Sequence, residues 1–160
     1  MEEKIKKAIS ELAALGLPDA ESLIAGFSGK TFVVKCGGAL IENEATGAAI
    51  LDDVALLNRA GVRTVLVHGA SVQADRDMEA AGIKPQRYKG LRITCDRTIE
   101  ILDRCFTALN TGIVSKLRER GANAFGFSGA AGGGLLIAEK MTPDGVDIGH
   151  VGDVTSVRGE

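Results

Sequence analysis

The chain has 160 residues, 45% of them hydrophobic and 25% charged, with a formal net charge of −2. That is ordinary composition for a globular domain with a real core. The basic residues form no long block and no apolar run reaches bilayer-spanning length, so a nucleic-acid surface, a polybasic anchor and a membrane span are not expected.

Glycine is abundant, at 21 residues against 4% aromatics, which suits an α/β fold with many tight strand-to-helix turns. The opening stretch "MEEKIKKAIS" is charged and periodic, unlike a signal peptide. The spacing predicts an amphipathic helix over residues 2–15. Ile5, Ala8, Ile9, Leu12 and Ala13 share one stripe, Glu2 and Glu3 sit at the positive end, and Gly16 closes it. A helix this short needs a partner surface. Its stripe is expected to meet another subunit, the alternative being its own domain. Pro18 breaks the chain, and Asp19 can cap a second short helix ending near Gly26.

"KTFVVK" is an apolar run without alternation, read as a strand covered on both faces. A helix follows over residues 46–59, stopped by Gly61, and "RTVLVH" is a second strand of the same kind. "SVQADRDMEAAG" is the next helix, with Ser71 as a possible cap and Gly82 as its stop. "QRYKGLRIT" holds two short extended pieces around Lys89-Gly90, a hairpin or flap. A long helix spans about residues 96–120 with a possible bend at residues 110–112, then "NAFGFSG" is a strand, "AAGGG" a loop, "LLIAEK" a strand and "GHVGDVTSV" a final extended segment. Strands alternating with helices predict βαβ units and a mostly parallel sheet, with no repeat and no linker dividing the chain.

Three loops can hold an anion: Lys35-Cys36-Gly37-Gly38, His68-Gly69-Ala70-Ser71, and residues 128–134. The first two belong at the carboxyl ends of strands, where open parallel sheets bind ligands. Backbone N–H groups at a helix start favour phosphate or carboxylate, and Lys35 adds a mobile point charge. Taken alone, any one such loop reads first as a plain turn, and a strand-end lysine as snorkelling to water. "GKT" at residues 29–31 is not a P-loop: Ile24 stands where that motif needs glycine, and the triplet precedes a strand when it should follow one. No G-x-G-x-x-G leads from a strand into a helix. The three cysteines, Cys36, Cys95 and Cys105, are odd in number and lack metal-like spacing. They read as reduced thiols in a cytoplasmic protein, with Cys36 a packing residue and no metal site expected.

"GKTFVVKCGGAL", "VLVHGAS", "YKGLRIT" and "IGHVGDVTSV", in this order, resemble the amino-terminal half of the N-acetylglutamate kinases, members of the amino acid kinase family. The resemblance covers about residues 20–157. It implies a three-layer α/β/α sandwich on a mostly parallel sheet, with residues 1–18 as a helical extension and 19–160 as the substrate-binding lobe. It implies ATP-dependent phosphorylation, with Mg, of the side-chain carboxylate of N-acetyl-L-glutamate or a related small acidic amino acid, in arginine biosynthesis, by a homodimer or higher homo-oligomer. Lys35 matches the lysine that neutralises the transferring phosphoryl group, and Gly37 and Gly38 the glycines whose N–H groups face the phosphates. Gly69, Ala70 and Ser71 stand at substrate-approaching positions, the last two replacing glycines. Arg92 matches the arginine that pairs with a substrate carboxylate, the right chemistry for a planar fork; alone it reads as a solvated flap residue. "SGAAGG" lacks the family's common lysine and aspartate. The family's ATP lobe, catalytic aspartate and second lysine have no counterpart, so the chain alone is expected to bind ligand without phosphorylating it. The alternative is a non-catalytic, arginine-sensing or dimerisation domain of the kind that acetylglutamate synthases carry.

Overall fold

The structure, a computed structural model, describes residues 2–17, 19–130 and 134–159. It carries two compact units: Met1–Gly69 with Gly112–Phe125, and Ala70–Thr111 with Gly126–Glu160.

The first unit is built on a βαβ crossover. β1 (Thr31–Cys36) pairs in parallel with β2 (Arg63–His68), in register from Thr31 opposite Arg63 to Cys36 opposite His68. The connection is α3 (Gly38–Glu42) and α4 (Glu44–Arg59). The short α3 is absent from the sequence reading, which began the helix at residue 46. The separation arises at Asn43, whose side chain accepts a hydrogen bond from Thr46 N at 2.9 Å and starts α4 afresh. Leu51, Val54 and Ala55 form the buried face of α4.

α1 (Glu2–Ala14) and α2 (Ala20–Phe27) precede the crossover. The stripe of α1, expected to meet another subunit, instead packs within this unit. Ala8 is wholly buried with Ile24 and Ala60, and Ile5, Ile9, Leu12 and Leu56 close around them. Arg59 donates to Glu11 at 2.6 Å across the same contact. The physical reason is supply: α2 and the end of α4 already offer the apolar surface that a short amphipathic helix needs. Asp19 precedes α2 but its side chain makes no capping bond. Pro18, expected to break the chain, lies outside the described residues.

The two strands were expected to be covered on both faces. Their burial alternates instead: Val33, Val65 and Val67 are exposed, while Phe32, Val34, Thr64 and Leu66 are partly covered. "NAFGFSG" takes no strand conformation. A β-prone segment becomes a strand only where a neighbouring edge takes its backbone groups, and among the described residues the parallel ladder ends at two strands.

The second unit begins with α5 (Ser71–Ala80), followed by the hairpin β3 (Arg87–Tyr88) and β4 (Leu91–Arg92). α6 (Asp96–Glu119) is helical without interruption through the residues where a bend was expected, and its last turns belong to the first unit. β5 (Leu136–Lys140) and β6 (Gly152–Val157) form an antiparallel pair. Ala70, Ala74 and Cys105 are buried together, flanked by Leu102 and Leu109. The end of the hairpin is pinned to the approach of β6. Thr94 N donates to Ile148 O at 2.9 Å and His150 N to Thr94 O at 2.7 Å. Gly149, between them, has φ +78, and a Cβ there would stand 2.0 Å from Thr94 O. Among the described residues no helix is long and apolar enough to cross a membrane, and no sheet closes into a barrel.

Candidate functional site

The candidate phosphate loops of the first unit lie where the sequence reading places them. Lys35 is exposed near the end of β1, and Gly37 caps α3 in an extended conformation, φ −69 and ψ 148. Leu40 N and Ile41 N donate to Gly37 O at 3.1 and 3.4 Å. The two strand-end loops run side by side: Gly69 N donates to Cys36 O at 3.2 Å, and a Cβ on Gly69 would stand 3.8 Å from Gly38 N. A Cβ on Gly37 would meet no atom within 4 Å, so space is open there. The Lys35 ammonium forms no ion pair among the described residues. Burial pushes the His68 imidazole below its ordinary value, more than the backbone at Gly69 restores. His68 is therefore neutral near pH 7, and Lys35 supplies the positive charge at this strand end. Cys36 is buried, as a packing residue should be.

In the second unit Ala70 and Ser71 stand at the start of α5. Ala70 is buried, and its methyl packs into the cluster with Ala74 and Cys105. Ser71, expected as the cap, is the first helical residue, and the cap position falls to Ala70 with no side-chain bond. The Ser71 side chain is turned to the hairpin instead. Its Oγ accepts from Arg92 Nη2 and Arg87 Nη2, each at 3.3 Å, and its carbonyl accepts from Arg92 Nη2 at 3.2 Å. The structure thus brings Ser71 and Arg92 together.

The sequence reading missed the carboxylate beneath them. Asp75 Oδ1 accepts from Arg92 Nη1, and Asp75 Oδ2 from Arg87 Nη2 at 2.7 Å. Partial burial alone would raise the Asp75 carboxyl; hydrogen bonds and charge from Arg87 and Arg92 outweigh it and hold the group below its ordinary value. Two signals could have found this cluster. Ser71 and Asp75 are four apart on one helix face, and a two-residue turn at Lys89-Gly90 sets Arg87 directly opposite Arg92. At the hairpin tip, Asp144 accepts from Tyr88 OH at 2.9 Å and pairs with Lys89.

The third loop, residues 128–134, is described only in part, because residues 131–133 lie outside the described set. A separate cavity of about 550 Å³ in the second unit is lined by Cys95, Asp96, Lys140, Asp147 and His150 among others. Four of its polar groups are paired, His150 with Asp96 at 2.6 Å and Lys140 with Asp147 at 2.8 Å.

Comparison with known proteins agrees with the resemblance read from the motifs. The curated acetylglutamate kinase of Geotalea daltonii is 36% identical over 167 residues, covering 98% of this chain and 55% of that protein. The acetylglutamate kinase of Kosmotoga olearia is 39% identical over 142 residues, covering 88% of this chain and 50% of that protein. The chain spans about half the length of these relatives. The fold is similar to that of N-acetylglutamate synthase from Neisseria gonorrhoeae, solved in complex with coenzyme A and N-acetyl-glutamate, at a TM-score of 0.73 and 24% identity, covering 90% of this chain and 32% of that one. The amino acid kinase family profile matches residues 30–160, and the chain belongs to the amino acid kinase family.

Proposed function

We propose that this chain is the acyl-amino-acid-binding half of an acetylglutamate kinase-type enzyme, in which a phosphoryl group passes from ATP to the side-chain carboxylate of N-acetyl-L-glutamate. The observation that carries the reading is the contact between Arg92 and Ser71, which sets a guanidinium fork against the start of α5. A fork so held is the right chemistry for a carboxylate. The similarity to acetylglutamate kinases across most of the chain supports it.

In this reading Arg92 binds the carboxylate, and Gly69 and Ser71 face the acyl amino acid, with the buried Ala70 between them. Gly37 and Gly38 present main-chain N–H groups to the phosphoryl group, and Lys35 offsets charge that builds on the transferring oxygens. Phosphoryl transfer depends mainly on positioning and charge stabilisation. ATP, when bound with Mg, supplies the phosphoryl group. The phosphate end fits this chain, since the space at Gly37 is open and Lys35 is not already paired among the described residues. No cluster of three potential metal ligands is found among the described residues. Residues 19–160 form the substrate lobe and residues 1–18 a helical extension, in a cytoplasmic homo-oligomer.

Thermal unfolding with ligands tests the reading. N-acetyl-L-glutamate at a hundredfold excess over Kd stabilises by about 2.7 kcal/mol, a rise of several degrees for a chain of this size. Stabilisation by free L-arginine with none by N-acetyl-L-glutamate would replace the kinase reading with the arginine-sensing one.

A further inference from the structure

We propose that Asp75 is a positioning residue: it is the shared counter-ion of the two cross-strand arginines, fixing the inner nitrogen of Arg92 and leaving the outer nitrogen to meet a ligand carboxylate. The second clause rests on the reading of Arg92 given above; the first does not.

Arg87 and Arg92 are register partners in a hairpin whose strands are two residues each. Like charges directly opposite destabilise a ladder, and an isolated hairpin is marginal in water. Asp75 resolves the conflict with one oxygen on each guanidinium. The trio then carries a single positive charge, which one ligand carboxylate neutralises.

The two terminal nitrogens of Arg92 are unequal. Nη1 faces inward, donating to Asp75 and lying 3.3 Å from Sδ of the buried Met78. The Arg92 side chain as a whole is only 12% exposed, and that of Asp75 29%. Nη2 faces Ser71, with contacts of 3.2 and 3.3 Å on the exposed side. Those are long for hydrogen bonds, and a carboxylate would give shorter, charge-assisted ones. Ligand exchange is therefore expected at Nη2, with Asp75 kept in place on Nη1. The opposite role, in which Asp75 competes with the ligand for the fork, predicts an opposite result.

Nitrogen-15 spectra of the arginine side chains of the full chain test the first clause without ligand. Arg92 should give two resolved Nη signals, because the Asp75 contact hinders rotation of the fork; their loss in Arg92→Lys assigns them. Asp75→Asn should merge them, whereas Arg87→Gln should leave them resolved. Signals that stay resolved in Asp75→Asn would overturn the proposal. Titration with N-acetyl-L-glutamate tests the second clause. Asp75→Asn should bind at least tenfold more weakly and Asp75→Glu should recover part of the loss. Tighter binding by Asp75→Asn would identify Asp75 as a competitor and also overturn the proposal. If the parent chain binds no N-acetyl-L-glutamate, the reading of Arg92 fails, and the merging of the Nη signals alone decides the role of Asp75.

Discussion

Gly149→Ala should destabilise the second unit more than any loop glycine whose surroundings are open. Gly149 has φ +78, where an L-residue costs roughly 1–2 kcal/mol. An added Cβ would also stand 2.0 Å from Thr94 O and 2.6 Å from Thr94 C. Both atoms are backbone, so the chains must part. Parting them strains the bonds from Thr94 N to Ile148 O and from His150 N to Thr94 O, each contributing about 1 kcal/mol net. The expected loss is about 3–4 kcal/mol, or about 10 °C in Tm for a chain of this length. Gly82→Ala is the control: φ is +72, but nothing lies within 4 Å of the added Cβ, so only the backbone cost remains. Thermal unfolding followed by circular dichroism compares the two. Equal shifts for both variants would refute the crowding argument, because they share the backbone strain and differ only in the contact with Thr94.

Asp75→Asn should lower the urea midpoint at pH 6. The folded carboxyl lies below its ordinary value, so its contribution is present above about pH 4 and is lost as pH falls through the folded value. The gap between parent and variant should therefore close on acidification, and a gap that widens there would contradict the sign. Cys95 should be alkylated first of the three thiols: hydrogen bonds from the side chain and backbone of Thr98 hold it below the ordinary thiol value, whereas burial raises Cys105. Mass spectrometry over time reads the order, and prior labelling of Cys105 would refute it. In an enzyme containing both lobes, Lys35→Ala should reduce acetylglutamyl phosphate formation, trapped as the hydroxamate, by about a hundredfold or more. Full activity would return "VVKCGGAL" to an ordinary glycine turn.

Much of this was legible because helices of ten residues or more announce themselves by apolar period and by glycine stops. α4, α5 and α6 end where Gly61, Gly82 and Gly121 follow them. The hairpin was legible from Lys89-Gly90, since both residues take positive φ, +50 and +83. "NAFGFSG" was misread because β propensity reports a half-buried ladder, and a ladder needs a neighbour that local sequence does not show. The uncovered face of β1 and β2 failed for the same reason: an unbroken apolar run says that cover is wanted, without saying where it comes from. Ser71 and Arg92 were both read as meeting one substrate, and the structure adds a direct contact between them. Asp75 was missed because its partners lie 12 and 17 residues further along the chain. Only helix spacing and hairpin register considered together bring them to one place.

Calorimetric titration of the parent chain and of Arg92→Lys with N-acetyl-L-glutamate tests the proposed function most directly. The substitution keeps the charge and removes the planar fork, so it separates carboxylate reading from general attraction of anions. The account predicts saturable one-to-one binding by the parent and affinity at least tenfold weaker in Arg92→Lys. Equal affinity in the two proteins, or no binding of N-acetyl-L-glutamate where L-arginine binds, would contradict it.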